Sequence, residues 1–201
     1  MSSSSPCNAP ERVRVRRRLC MAGLCATGLC AASAPLWVAA QGTRAGPPEL
    51  LLEWPTARIQ GQGQLRFLGL AVYEIALWTP LPALSAPDWW QAPLALEITY
   101  ARALSGRRIA QRSLLEMQRA AAITADQGER WLDDMTQLFP DVQAGDRITG
   151  VQRPGQAARF YVNGNVRGEL RDAEFTRQFF GIWLAPVTSQ PALRSALLGL
   201  P

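Results

Sequence analysis

Histidine and lysine are absent from the 201 residues, and the only cysteines, Cys7, Cys20, Cys25 and Cys30, all fall within the first thirty. Zinc, copper and haem sites of the usual donor sets therefore find no ligands in the rest of the chain. A serine or cysteine nucleophile has no imidazole to serve as its base. The missing lysine removes Schiff-base chemistry and the amine of a phosphate loop. Aspartate, glutamate, tyrosine and arginine are the side chains left for acid–base or anion-binding work, and neither a metal nor a cofactor is expected.

The first forty residues read as an export signal rather than as fold. Arg12, Arg14, Arg16, Arg17 and Arg18 precede an uncharged run of small apolar residues from Leu19 to Trp37. That is the order of a basic n-region followed by an apolar h-region. Val38-Ala39-Ala40 before Gln41 offers small residues to a signal peptidase, so cleavage is expected after about Ala40, with a periplasmic destination. An uncleaved segment of this length would instead be a membrane anchor, and the chain would meet the bilayer only through it. Arg16-Arg17-Arg18-Leu19 leaves both the general and the twin-arginine export routes open.

Setting this segment aside removes five arginines and one glutamate. It leaves 16 of the 21 basic and 15 of the 16 acidic residues, a net charge of about +1. The basic character of the whole chain thus belongs mostly to its start, and a nucleic-acid partner, which needs a basic surface on the folded domain, is not expected. Residues 41–201 are one domain's worth of chain, and without cysteine they must be stabilised by packing alone.

Residues 41–57 are rich in glycine and proline and read as a loosely held lead-in to a domain over 58–201. The β-rich run from Gln64 to Thr79 reads as one long bent strand or two short ones, with Gly69 at the bend. Leu94 to Tyr100 alternates as a strand with one buried face, pairing with that run. Ser105 caps a helix to about Ala122, with apolar positions at Ile109, Leu114 or Leu115, and Met117. A second helix, roughly Asp126 to Leu138, is stopped by Pro140 and exposes Asp133 and Asp134. Two hairpins follow: Asp146 to Gln152 and Ala157 to Val162 about Arg153-Pro154-Gly155, then Asn165 to Leu170 after the type I′ signal Asn163-Gly164. Asp172 caps a helix carrying Phe175, Phe179 and Trp183, and a last helix starts at Ser189 or Gln190. Strands, helices, strands, helices is an α+β order.

The wording of several of these segments resembles the chalcone isomerase family. Phe67-Leu68-Gly69-Leu70-Ala71-Val72-Tyr73 is similar to that family's Phe-Thr-Ala-Ile-Gly-Val-Tyr strand, and Leu104-Ser105-Gly106 to the Leu-Thr-Gly that opens its first helix. The bacterial chalcone isomerase-like proteins match more closely. Their habits appear in Tyr73 to Trp78, Arg102 to Met117, Phe139-Pro140-Asp141-Val142 with Gly145-Asp146, Phe160-Tyr161-Val162-Asn163-Gly164, and Phe180-Gly181-Ile182-Trp183-Leu184. The resemblance runs from about Arg58 to Leu198. It implies an open-faced β-sandwich: an antiparallel sheet with helices layered on one face, and a ligand cleft between the layers.

The resemblance also implies where catalytic donors would sit, and those donors are missing. The strand threonine of the plant enzymes falls on Leu68, the helix tyrosine on Ile109, the helix asparagine on Glu116 and the late serine or threonine near Ile182; Arg58 is the approximate match for the strand arginine. Removing a single oxyanion donor typically costs roughly 100-fold or more, so chalcone cyclisation is not expected. An apolar cleft would persist. The family includes fatty-acid-binding members, which makes a long-chain acid or another apolar small molecule the expected ligand, held by Arg58, Arg66, Leu68, Tyr73, Ile109, Arg112, Glu116 and Ile182.

The leading expectation is an exported, non-catalytic binding domain. The alternatives are an isomerase or lyase acting on a chalcone-like or other enone through Glu116 and Tyr73, and a structural envelope protein without a ligand. The competing reading of Arg66 is a solvated strand residue, and that of Arg112 with Glu116, four apart, a surface pair on a helix.

Overall fold

A computed structural model describes residues 46–200. The export signal and its cleavage point lie outside these described residues. Six strands form one antiparallel sheet in the order of the chain: β1 (Arg58–Phe67), β2 (Leu70–Thr79), β3 (Leu94–Tyr100), β4 (Arg147–Arg153), β5 (Ala157–Val162) and β6 (Asn165–Leu170). Five helices accompany them: α1 (Pro48–Glu53), α2 (Gly106–Ala120), α3 (Ala125–Leu138), α4 (Ala173–Leu184) and α5 (Pro191–Leu198). The α+β open-faced sandwich expected from the sequence is the fold observed.

The helix starts follow their caps. The Ser105 hydroxyl accepts from the Arg108 N–H, and Asp172 accepts from the N–H groups of Glu174 and Phe175, satisfying donors that the first turn leaves free. Thr124 and Gln127 form a reciprocal capping box at α3. Asp172 also accepts from the Trp131 indole at 2.9 Å, so one carboxylate starts α4 and ties α3 to it.

Helices α2 to α5 cover one face of the sheet. The core there centres on Phe179, whose ring lies 5.2–6.0 Å from those of Phe139, Phe160, Phe175, Phe180 and Trp183. Edge-to-face geometry dominates this cluster, as ring quadrupoles favour. On α2 the buried positions are Gly106, Ala110, Ser113, Glu116 and Met117; Leu114 is half-buried and Leu115 exposed.

Of the two readings of Gln64 to Thr79, two strands is the one observed, joined as a hairpin: Leu68 and Gly69 have φ of 49° and 80° and close a two-residue turn between β1 and β2. Three expectations are corrected. The hairpin is longer than the run that announced it. Its first strand begins at Arg58, hidden in the sequence Gln60-Gly61-Gln62-Gly63. Those glycines are there for contact. A Cβ on Gly61 would meet the Ala196 carbonyl oxygen at 2.2 Å, so only bare backbone there lets α5 lie flush on β1, while one on Gly63 would push aside the end of the Leu193 side chain, 2.4 Å away.

The lead-in is not loose, because within it α1 buries Leu50 and Glu49 on the opposite face of the sheet. For the same reason β3 is not buried on one side only. Ala95 and Glu97 face a second small core of Leu50, Ala76, Trp78, Val151 and Tyr161.

That second face is held largely by ion pairs. Glu49 accepts from Arg147 Nε at 3.1 Å and Nη2 at 2.9 Å, and from the Thr149 hydroxyl at 2.8 Å. Glu53 accepts from Arg153, Arg159 and the Tyr161 hydroxyl, and Arg159 turns its Nε to Glu169 at 2.9 Å. Burial alone would raise the Glu53 carboxyl, but the bonds from Tyr161 and Arg153 and the two nearby guanidinium charges outweigh it and hold the group below the ordinary carboxylate value.

Candidate functional site

A cavity of about 430 Å³ opens between the helices and one end of the sheet. The antiparallel order brings the last residues of β1 and β3 beside the first residues of β2 and β4. Leu65, Val72, Tyr73, Ile98, Tyr100 and Ile148 therefore form its floor. α2 supplies Arg108, Ile109, Arg112, Ser113 and Glu116 at helical spacing, and α4 supplies Phe179, Ile182 and Trp183. The lining is mostly apolar, with its polar groups gathered on α2 and at the rim.

Tyr73 is fixed from two sides. Its hydroxyl oxygen accepts from the Trp183 indole at 2.9 Å, and its ring meets Tyr100 edge-to-face at 6.2 Å. Burial pushes its hydroxyl up to about 12, with the Glu116 charge adding to the rise against the bond from Trp183. Tyr100, more deeply buried still, is raised further. Both phenols are protonated at neutral pH and act as donors or apolar walls, not as bases.

Glu116 combines the two environments that the sequence left as alternatives. It is 9 % exposed and lines the cavity, yet it accepts a hydrogen bond from Arg112, with Arg119 at 4.0 Å. Arg112, 70 % exposed, bridges the buried carboxylate to solvent. Arg66 bends back over its own turn, donating to the Gly69 carbonyl at 2.9 Å and to the Gln64 side chain at 2.7 Å, and still reaches the rim. Arg102 and Arg108 line the rim as well. Among the described residues neither makes a side-chain hydrogen bond or ion pair.

Of the expected site residues, Arg66, Tyr73, Ile109, Arg112, Glu116 and Ile182 come together around this cavity. Arg58 and Leu68 do not. Arg58 stands opposite Thr79 at the far end of β1, a full strand length away. Leu68 occupies the turn and is 86 % exposed. The family's threonine position was carried through a segment that here closes a hairpin, so the residue found there points to solvent.

Sequence reasoning did not name Tyr100, Arg102, Arg108 or Ser113 as site residues. The signal for two of them was present: Tyr100 ends the alternating face Leu94, Leu96, Ile98, and Ser113 is one helical turn from Ile109.

Three likenesses to known proteins bear on this fold. Residues 55–199 match the model of the family described as chalcone isomerase-like. An uncharacterized protein of Haemophilus influenzae is 30 % identical over 109 residues, which is 54 % of this chain and 53 % of that protein. The chain thus spans about half the length of that relative. The crystal structure of an Arabidopsis thaliana fatty-acid binding protein superposes with a TM-score of 0.55 at 15 % identity, covering 71 % of this chain and 87 % of the other. At that identity the likeness establishes the fold, and the family match covers nearly all of the described residues. The chain belongs to the chalcone isomerase-like family.

Proposed function

We propose that this domain is a non-catalytic binding module that holds one amphipathic, fatty-acid-like molecule in the cavity, tail inward and anionic head at the rim. The observation that carries this reading is the pairing of an apolar cavity of about 430 Å³ with two guanidinium groups beside it, Arg102 and Arg108, that find no partner among the described residues. That volume lies within the range of small-molecule sites, which are mostly apolar with a few placed polar groups. A carboxylate at the rim would gain charge-assisted hydrogen bonds from those arginines. The fold shared with a protein named for fatty-acid binding supports the same ligand class.

Tyr73, held protonated, and Glu116, engaged with Arg112, are positioned to orient such a molecule rather than to move protons. The binding step is proposed to occur in the periplasm, after export directed by residues 1–40. Signal-dependent appearance of a shortened chain in a periplasmic fraction would support that location, and retention of the full-length chain in the cytosol would count against it.

The binding test uses Ile109→Trp, which fills the middle of the cavity. A long-chain fatty acid titrated into the unaltered protein should saturate at one per chain, and the variant should bind at least about tenfold more weakly. Equal binding by the two proteins would place the ligand elsewhere.

A further inference from the structure

Two hairpin turns lie at the same end of the sheet and have nearly the same backbone. Asn163-Gly164 has φ of 49° and 86°; Leu68-Gly69 has 49° and 80°. Asparagine tolerates the left-handed region and is the usual first residue of such a turn, whereas leucine is strained there. Leucine would offset that strain by being buried, yet Leu68 is 86 % exposed, flanked by Phe67 at 66 % and Leu70 at 63 %. Three large apolar side chains in four residues thus project from the tip, one of them against its backbone preference. Nothing in the described residues covers them.

The surroundings of this tip are cationic. Arg66 lies across the turn, and Arg102, Arg108 and Arg112 follow around the cavity rim. The one carboxylate lining the cavity, Glu116, is buried and engaged with Arg112. Other acids at this end are also engaged: Asp141 accepts from the Gly106 N–H, and Asp146 from the Gln143 N–H and the Asn163 amide. Glu74, exposed on β2, is the acid for which the described residues show no such engagement.

An apolar tip within a collar of arginines complements an anionic bilayer, where apolar side chains enter the interface and basic ones meet headgroups. Leu65, Arg66, Phe67 and Val72 belong both to this hairpin and to the cavity lining.

From the strained, exposed tip, its cationic collar and its place at the cavity mouth, we propose that the β1–β2 hairpin is a docking surface for anionic lipid bilayers. Docking there sets the mouth against the membrane, so that a ligand passes between bilayer and cavity without crossing water. This rests on the amphipathic-ligand reading for its purpose, though not for its test.

The test is hydrogen exchange of the full chain with neutral vesicles and with vesicles containing about 30 % anionic lipid. Amides of residues 67–72 should exchange at least about fivefold more slowly with the anionic vesicles. Those of the Arg153-Pro154-Gly155 turn, at the other end of the sheet, should not change. The double variant Leu68→Asn, Leu70→Ser keeps a turn that asparagine suits and should lose the protection while retaining fatty-acid uptake from solution, since neither residue lines the cavity.

Unchanged exchange at 67–72 with anionic vesicles would overturn the proposal. Protection that appears without lipid as protein concentration rises would overturn it in favour of self-association. Protection in a protein that takes up no fatty acid would leave the docking surface standing and remove the ligand reading.

Discussion

The two faces of this sheet treat arginine in opposite ways. Beneath α1, Arg147, Arg153 and Arg159 each find carboxylates that are nearly out of water, so these three guanidinium charges are matched within the fold. Beneath α2 and α4, the cavity rim carries Arg102 and Arg108 with no protein partner among the described residues. On the first, the charges close the surface; on the second, space and charge are left for something outside the chain.

Breaking the closed face should have the largest effect. Glu49→Ala removes the hydrogen-bond acceptor of Arg147 and Thr149 in a nearly dry site, leaving Arg147 with Glu97 at 3.7 Å and some access to water. We expect a loss of roughly 2–4 kcal/mol of stability in urea unfolding. The folded fraction should still bind one fatty acid per chain, because the cavity lies on the other side of the sheet.

Next in size is the cavity-filling change, Ile109→Trp, which should weaken binding at least about tenfold while moving stability by less than about 1.5 kcal/mol, since it occupies existing space. Smaller again is Arg102→Ala with Arg108→Ala. Both groups are solvent-facing, so the pair should weaken a fatty acid by about fivefold to tenfold and leave the matching fatty alcohol nearly unchanged. Equal losses for acid and alcohol would mean that these arginines do not meet the head group.

Titration separates the faces most finely. The Tyr73 hydroxyl is raised from 10.0 to about 12, so the folded state favours the neutral phenol. Its contribution is fully present below pH 10 and is lost as pH rises toward 12, where the unfolded chain has released a proton that the fold still holds. The Glu53 carboxyl is lowered, so its contribution is present above the ordinary value of 4.5 and is lost as pH falls below it. Stability measured against pH should therefore fall at both ends. Glu53→Gln should flatten part of the acid limb, which Asp146 and Glu169 share, and Tyr73→Phe part of the alkaline limb, which Tyr100 shares.

Much of the fold was legible because its signals are local. Ser105 and Asp172 name their helix starts, Pro140 follows the end of α3, and Asn163-Gly164 specifies its turn without reference to the rest of the chain. β1 was illegible in its first half because its glycines serve α5, which lies more than 120 residues later. α1 was illegible because six residues hold their place through Arg147 and Thr149, about 100 positions away.

The site divides in the same way. Positions on α2 and α4 carried over from the family because helical spacing is rigid. Leu68 and Arg58 did not, because their register depended on where a hairpin turned.

The most direct test of the cavity assignment is native mass spectrometry of the full chain with a long-chain fatty acid. The account predicts a single bound acid per chain that is lost in Ile109→Trp and kept in Glu49→Ala under conditions where that variant stays folded. A protein that stays ligand-free, or an adduct that survives in Ile109→Trp, would contradict it.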